Sequence, residues 1–247
     1  MKKSIFILFV IVITCSCGKS LTKLGIRLHN GSSLVSRYTN GDKELLFFPM
    51  IHLNKPEIYK KVKSKVDSLR KEGYAIYYEG IDFKKKLDSL ERDKMYRKFK
   101  TVTGIIPFDY YDKRNKQFPT LALKGYVMQT TENIGINVKT DLRADLPLDS
   151  LIYLYEKEKG EIKLNECQLK MKLLEKYKCA KVDIANSKFI IMTLRNRYLT
   201  HVATYSKDKK ILVLYGGLHN RNLERDLQQH DSTWKSVPNT KENLIRI

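Results

Sequence analysis

Two histidines and one glutamate follow short apolar segments of the chain, at positions where strands would end. The residues are His52, Glu79 and His219, and the apolar segments that precede them are residues 45–51, 74–78 and 211–215. Segments of this length and composition predict buried strands. Ligands and catalytic groups gather at strand ends in open α/β sheets, so these three side chains are expected to meet.

Two imidazoles and a carboxylate form a ligand set for a divalent metal ion that leaves positions open for water or substrate. Neutral imidazole nitrogens donate to the metal, the carboxylate lowers the net charge, and a bound water becomes acidic enough to attack. His52, Glu79 and His219 are therefore the candidate metal ligands, and a divalent ion is the expected cofactor. The alternative is that each histidine is a structural residue held by hydrogen bonds.

A long helix predicted over residues 184–205, with Asp183 as its N-cap, places an arginine on its apolar side. Successive helical residues differ by about 100°, so Arg195 lies among apolar residues, whereas Arg197 shares a face with threonines. A buried arginine must meet an anion or a carboxylate. We therefore expect Arg195 either to pair with an acid such as Glu79 or to stabilise charge in a site. A stem that reaches solvent at the helix edge is the alternative.

Helix and strand signals alternate along the part of the chain that would position these residues. Pro56 and Glu57 have the types expected in the first turn of a helix, and Gly73 has the type expected at its end. Other segments with helical signals are residues 83–99, 148–156, 164–177 and 223–229. Residues 101–139 predict loops with short elements, because prolines and glycines interrupt them. We predict an α/β fold, a mixed sheet with flanking helices and a site at the strand ends.

The N-terminal residues have the features of an export signal. Lys2 and Lys3 precede an unbroken apolar segment, Ile5 to Ile13, which is too short to span a bilayer. Ser16 stands directly before Cys17, an arrangement that resembles the lipobox of bacterial lipoproteins. We expect cleavage before Cys17, a lipid on that cysteine, and attachment outside the cytoplasm to the inner or the outer membrane. An ordinary secretory signal or an uncleaved anchor is the alternative.

The chain is expected to comprise a signal peptide over residues 1–16, a tether over residues 17–42 and a single domain over residues 43–247. It has 47 lysines and arginines against 27 aspartates and glutamates, which gives a formal net charge of +20. This charge favours a membrane surface or another polyanion as a partner, and dispersed lysines also fit a simple solvated surface. A nucleic-acid partner is not expected, because export removes most such partners.

Two further cysteines, Cys167 and Cys179, could form a disulfide in an exported protein. If one helix carried both, twelve residues would separate them by about 18 Å, which is beyond the reach of a disulfide. Pairing would require the chain to reverse between them. We expect the two thiols to remain unpaired.

The order of the motifs around the candidate residues resembles the TraB/PrgY/GumN family, which is related to the Tiki metalloproteases. The matching segments are Ile51-His52-Leu53, Tyr78-Glu79-Gly80-Ile81, Leu194-Arg195-Asn196-Arg197-Tyr198 and Val213-Leu214-Tyr215-Gly216-Gly217-Leu218-His219. That family is marked by two G-x-x-H motifs, a glutamate after the second strand, and an arginine-rich helix motif before the final G-x-x-H. The resemblance covers residues 45 to about 223 and rests on the shared order of these motifs.

The resemblance implies a TraB/Tiki-like fold and a membrane-anchored, metal-dependent hydrolase that acts on peptides. It implicates His52, Glu79 and His219 around the metal, Glu79 and Arg195 in catalysis, and Asn196 and Arg197 in secondary roles. The first motif departs from the family because Pro49 replaces its glycine, which fixes φ and removes a backbone donor. A peptide-binding or signalling lipoprotein without catalysis, on the same scaffold, is the alternative.

Replacement of Cys17 by alanine is expected to abolish lipid labelling of the chain, because the thiol that would carry the lipid is lost. Incorporation of labelled palmitate in growing cells measures this directly. The Cys15→Ala variant is the matched control and should label like the wild type. Labelling that persists in Cys17→Ala and disappears in Cys15→Ala would move the lipidation site to Cys15.

Overall fold

Residues 23–26, 34–83, 87–107 and 123–240 are described by the computed structural model of the chain. The predicted signal peptide and Cys17 lie outside these residues. Over the described ranges, none of the helices combines the length and the apolar character that crossing a membrane requires.

A mixed β-sheet forms the centre of the fold. The strands of the described residues are β1 (Ser36–Thr39), β2 (Glu44–Met50), β3 (Leu53–Asn54), β4 (Ala75–Tyr78), β5 (Val127–Met128), β6 (Leu142–Arg143), β7 (Lys210–Gly216) and β8 (Lys235–Val237). Six of them form one sheet in the order β6-β4-β7-β2-β1-β8, and β3 pairs separately with β5. Strands β6, β4, β7 and β2 run parallel, whereas β1 is antiparallel to both neighbours. The predicted α/β class with a mixed sheet is confirmed.

The two central strands, β2 and β7, are almost wholly apolar and are buried along nearly their whole length. This is the composition expected of parallel strands that helices cover on both faces. The register aligns Met50 with Gly216 and, on the other side of β7, Tyr78 with Leu214. Because the strands are parallel, the residues that follow β2, β4 and β7 emerge at one edge of the sheet.

Helices of the described residues cover both faces of the sheet, and others pack around an apolar cluster of their own. They are α1 (Pro56–Lys71), α2 (Ser89–Thr103), α3 (Leu148–Lys159), α4 (Glu166–Lys170), α5 (Ile184–Lys188), α6 (Leu194–Tyr205) and α7 (Leu223–Gln228). Alternate residues of β2 face opposite layers, since Leu46 and Phe48 pack with α1 while Leu45 and Phe47 pack with α6 and α7. The sheet therefore holds α6 and α7, which carry the arginine motif and the segment after His219, against the same face.

Several of the predicted helices are confirmed. A π-helical segment, Phe189–Thr193, joins α5 to α6, so the chain is helical from residue 184 to residue 205 as predicted. Asp183 caps this helix by accepting the N–H of Asn186 at 2.9 Å. The helix predicted over residues 83–99 begins at Ser89 instead, because Asp88 and a glutamate in the first turn form a capping box there.

The N-terminal part differs from the sequence-based expectations at β1 and agrees with them at Pro49. Strand β1 lies in the segment assigned to the tether and pairs with both β2 and β8, so the folded domain begins before residue 43. Pro49 lies inside β2, is buried, and aligns with Tyr215 of β7. The proline therefore does not interrupt the strand that leads to His52.

The prediction that Cys167 and Cys179 stay unpaired is wrong. They form a disulfide, and their Cα atoms are 5.7 Å apart. The helix predicted over residues 164–177 is also wrong in extent, because α4 ends at Lys170 and the chain then turns back. This turn supplies the reversal that pairing requires.

A buried lysine of α2 explains why α4 ends at Lys170. Lys100 Nζ donates to the carbonyls of Lys172 and Leu173 at 3.2 and 2.7 Å, and also to the carbonyl of Glu175. Arg97, one turn earlier, donates to the carbonyl of Met171 at 2.7 Å. Carbonyls that surround these cations cannot serve a continuing helix, so tertiary contacts override the helical pattern of the segment.

Replacement of Cys167 by serine is expected to lower the free energy of unfolding by about 3 kcal/mol, because the opened loop regains conformational freedom in the unfolded chain. Urea unfolding followed by circular dichroism under non-reducing conditions measures the loss. Cys179→Ser should match it, and the double variant should lose no more than either single one. A single variant that unfolds at the wild-type urea concentration would contradict the disulfide.

Candidate functional site

Residues that follow neighbouring parallel strands meet at the carboxyl edge of the sheet. Glu79 follows β4, and its N–H donates to a carbonyl of β7 at 3.0 Å. On the other side of β4, the N–H of Ala144 donates to the carbonyl of Tyr78 at 3.1 Å, which brings Asp145 to the same edge. Asp145 Oδ2 then accepts the N–H of Gly80 at 3.0 Å. Backbone pairing thus fixes two carboxylates side by side.

The guanidinium of Arg195 is buried against these carboxylates, and 4% of the residue is exposed. It donates to Asp145 through Nε at 2.9 Å and Nη2 at 2.6 Å, and Nη2 also donates to Glu79 at 2.6 Å. Nη1 lies 3.4 Å from the carbonyl oxygen of Ile191 and 3.4 Å from Nε2 of His219. Each of the five N–H groups therefore has a polar neighbour, as burial of this cation requires.

The expectation that Arg195 pairs with Glu79 is confirmed, and the alternative of a stem reaching solvent is excluded by its burial. Burial alone would lower the pKa of Arg195, but the carboxylates of Asp145 and Glu79 raise it well above its usual value. The arginine lies two residues after the end of the π-helical segment, to which Ile191 belongs. Such segments often occur at functional sites, and here one of its carbonyls faces the guanidinium.

Asp145 is a site residue that the sequence analysis missed. It follows β6, which consists of Leu142–Arg143 alone and has no apolar segment that would predict a strand. Asp145 is 2% exposed. The only sign of it in the sequence is that an aspartate stands three residues before Leu148, where a helix is predicted to begin. An aspartate at such a position is ordinarily interpreted as a helix cap.

Glu79 connects Arg195 to the end of β7. Its Oε2 accepts the N–H of Gly216 at 2.6 Å, while Oε1 faces the guanidinium. A Cβ at position 216 would lie 3.3 Å from Glu79 Oε2 and 3.6 Å from Cδ2 of His219, so the glycine allows carboxylate and imidazole to approach. Burial alone would raise the pKa of Glu79, but Arg195, His52 and His219 together lower it to about 2.

His219 lies in the 3₁₀ segment Gly217–Asn222 after β7 and is 3% exposed. Its Nδ1 is 2.5 Å from Oδ1 of Asn196, and its ring packs edge-on to Tyr215 with centroids 4.8 Å apart. Burial and the positive charge of Arg195 lower the pKa of His219 to about 4. The imidazole is therefore neutral at pH 7, the form that can accept a proton or donate to a metal.

The other predicted residues lie outside this buried group. His52 is exposed and interacts electrostatically with both Glu79 and His219, so it stands at the margin of the site. Arg197 has 46% of its side chain exposed and pairs with Glu158 at 2.8 Å. The structure thus brings together Glu79, Arg195, Asn196 and His219, and it places Arg197 at the surface.

Among the described residues, no three His, Cys, Asp or Glu side chains are already arranged to hold a metal ion. The donor types nevertheless fit one. Asn196 takes up Nδ1 of His219, so Nε2, which lies 3.4 Å from Nη1 of Arg195, is the nitrogen that could turn to a metal. Each oxygen of Glu79 also has a second lone pair beside its hydrogen bond. Two carboxylates also face the single guanidinium of Arg195, and a cation would offset the excess negative charge.

Comparison with known proteins gives no match. No family profile fits the sequence, and neither curated protein sequences nor solved structures match the chain. The likeness to the TraB/PrgY/GumN family therefore rests on the order of the motifs.

Replacement of Arg195 by methionine is expected to lower the free energy of unfolding by about 3–5 kcal/mol, because Asp145 and Glu79 would stay buried without their cation. Arg197→Met is the matched control on the same helix, and it removes an exposed ion pair worth about 1 kcal/mol or less. Urea unfolding of the two variants measures the difference. Equal losses would show that the buried cluster contributes no more than a surface pair.

Proposed function

We propose that the chain is a metal-dependent hydrolase of peptides in the bacterial cell envelope, built on a TraB/PrgY/GumN-like scaffold. One observation supports this most: His219, Glu79 and Arg195, from three separate elements, are in contact at the carboxyl edge of a parallel sheet. A structural ion pair has no need of a neutral buried imidazole. Groups with shifted pKa values that converge at strand ends are typical of functional sites.

His219 and Glu79 would hold a divalent cation, with His52 completing the set from the margin of the site. Such a cation supplies Lewis acidity, which polarises a peptide carbonyl and makes water a stronger nucleophile at neutral pH. Arg195 keeps Glu79 ionised and directs positive charge toward the region where an oxyanion would form. Asp145 holds the guanidinium in place through two hydrogen bonds.

The proposed location follows from the N-terminal sequence and the charge. A lipid on Cys17 would hold the domain at the membrane surface. The net charge of +20, which falls to +18 when Lys2 and Lys3 are removed with the signal peptide, would add attraction to anionic lipid headgroups. Stable anchoring usually needs two such signals together. The substrates would then be peptides or protein segments near the membrane.

A peptide-binding lipoprotein without catalysis is the second candidate, and two observations favour it. Pro49 replaces the glycine of the first motif, and His52 is exposed whereas His219 is buried. In that case Arg195 and the carboxylates would form a fixed polar surface for a peptide. Metal content and turnover separate the two candidates.

Replacement of His219 by alanine is expected to remove most bound metal and to reduce peptide hydrolysis by orders of magnitude, because the fixed donor is lost. Elemental analysis by mass spectrometry measures the metal, and a pool of fluorescence-quenched peptides measures turnover. Glu79→Gln should behave similarly. His201→Ala is the matched control, since this histidine is exposed on α6.

Two results would contradict the hydrolase. One is a wild-type protein that contains no divalent metal and gains no turnover when zinc, manganese, cobalt or nickel is added. The other is unchanged turnover in His219→Ala. If the wild type is silent but still binds peptides, and Arg195→Ala weakens that binding, the peptide-binding candidate is supported instead.

A further inference from the structure

The side chain of Asn196 lies between His219 and an aspartate that the mechanism above does not use. Asn196 Nδ2 donates to Asp226 Oδ2 at 3.0 Å and to the carbonyl oxygen of His219 at 3.0 Å. Asn196 Oδ1 lies 2.5 Å from Nδ1 of His219. Asn196, His219 and Asp226 are 4%, 3% and 7% exposed, so bulk water does not compete with these contacts.

The chemistry of the acceptors fixes which way the Asn196 amide points. A backbone carbonyl and a carboxylate accept hydrogen bonds and do not donate them, so both must face the amino group of Asn196. Its carbonyl oxygen then faces His219 Nδ1, which can make this contact only by donating a proton. In a neutral imidazole one nitrogen is protonated and the other is not, so the free lone pair lies on Nε2.

A second contact agrees with this assignment. Nε2 of His219 lies 3.4 Å from Nη1 of Arg195, a group that can only donate. An Nε2–H would point a donor at a donor in a buried site. Arg195 and Asn196 lie on the same helix, so α6 constrains both nitrogens of the imidazole.

Asp226 is itself held firmly. It lies on α7 between Leu223 and Leu227, both fully buried in the core beside the sheet. Its other oxygen, Oδ1, accepts from Arg225 Nη2 at 3.0 Å. Core packing thus sets the position of the carboxylate that orients Asn196.

We propose that Asp226 is a positioning residue for His219: through Asn196 it holds the imidazole as the Nδ1-protonated tautomer, with the Nε2 lone pair presented to Arg195. The link to hydrolysis rests on the proposed function, whereas the tautomer does not. Groups that orient a metal-binding histidine in this way typically contribute about 10–100-fold to metal affinity or activity. Asp226 touches neither substrate nor metal, so its effect passes through His219.

The tautomer can be measured without substrate or metal. The mature protein, purified in detergent after labelling with ¹⁵N-histidine, is analysed by long-range ¹H–¹⁵N correlation, which distinguishes Nδ1–H from Nε2–H. The signal of His219, one of five histidines in the sequence, is assigned by its absence in His219→Asn. We expect Nδ1–H in the wild type and a mixture, or Nε2–H, in Asp226→Asn, whose side chain can donate to Asn196.

Glu224→Gln is the matched control, because Glu224 lies on the same helix but bonds to the N–H of Ser236. It should leave the tautomer unchanged, and Asp226→Glu should restore part of the wild-type signal.

With a cleavable peptide, Asp226→Asn should lower kcat about 10–100-fold with little change in KM. Wild-type His219 in the Nε2–H form would overturn the proposal even if Asp226→Asn failed to fold. An unchanged tautomer in folded Asp226→Asn would also overturn it, and absent turnover would count against the hydrolase alone.

Discussion

The buried guanidinium of Arg195 is the constraint on which the site depends. Removing an arginine from water is costly unless its donors are all satisfied, and here two carboxylates, a backbone carbonyl and an imidazole surround it. The carboxylates come from the ends of β4 and β6, so the register of the parallel sheet decides whether they meet the cation. A shift of one residue in either strand would turn a carboxylate to the other face of the sheet.

The charge of Arg195 also shifts the pKa values of the groups around it. Its charge holds Glu79 in the ionised form and keeps His219 neutral despite the two nearby carboxylates. Burial and the Asp145 carboxylate raise the pKa of Tyr215, whose ring lies 5.4 Å from the guanidinium carbon, well above its usual value. Arg195 thereby helps to keep an ionised Glu79 beside a neutral His219, and such a separation of protonation states is what acid–base or metal chemistry requires of a site.

Strong local patterns explain which parts could be predicted from the sequence. Long apolar segments indicated β2 and β7, and an arginine on the apolar side of a helix indicated a buried ion pair. Asp145 could not be found in this way, because its strand has two residues and its position is set by pairing with β4. Asp226 carried the same signal as Arg195, a charge between the buried Leu223 and Leu227, but α7 is too short for a clear periodicity. The extent of α4 was mispredicted because distant cations of α2 hold the carbonyls that follow it.

The two histidines of the site differ in how much the fold determines their state. His219 has its ring position, tautomer and charge set by α6, α7 and the burial of its segment. His52 follows a strand that Pro49 does not interrupt, and its carbonyl accepts the N–H of Gln129 at 2.9 Å, but its side chain is exposed. The fold therefore sets the ring of His219, whereas at His52 it sets the backbone. On the proposed function, a cation would meet a donor at His219 that is already ordered. Because a preorganised donor needs little ordering on binding, the affinity for the cation would depend chiefly on His219.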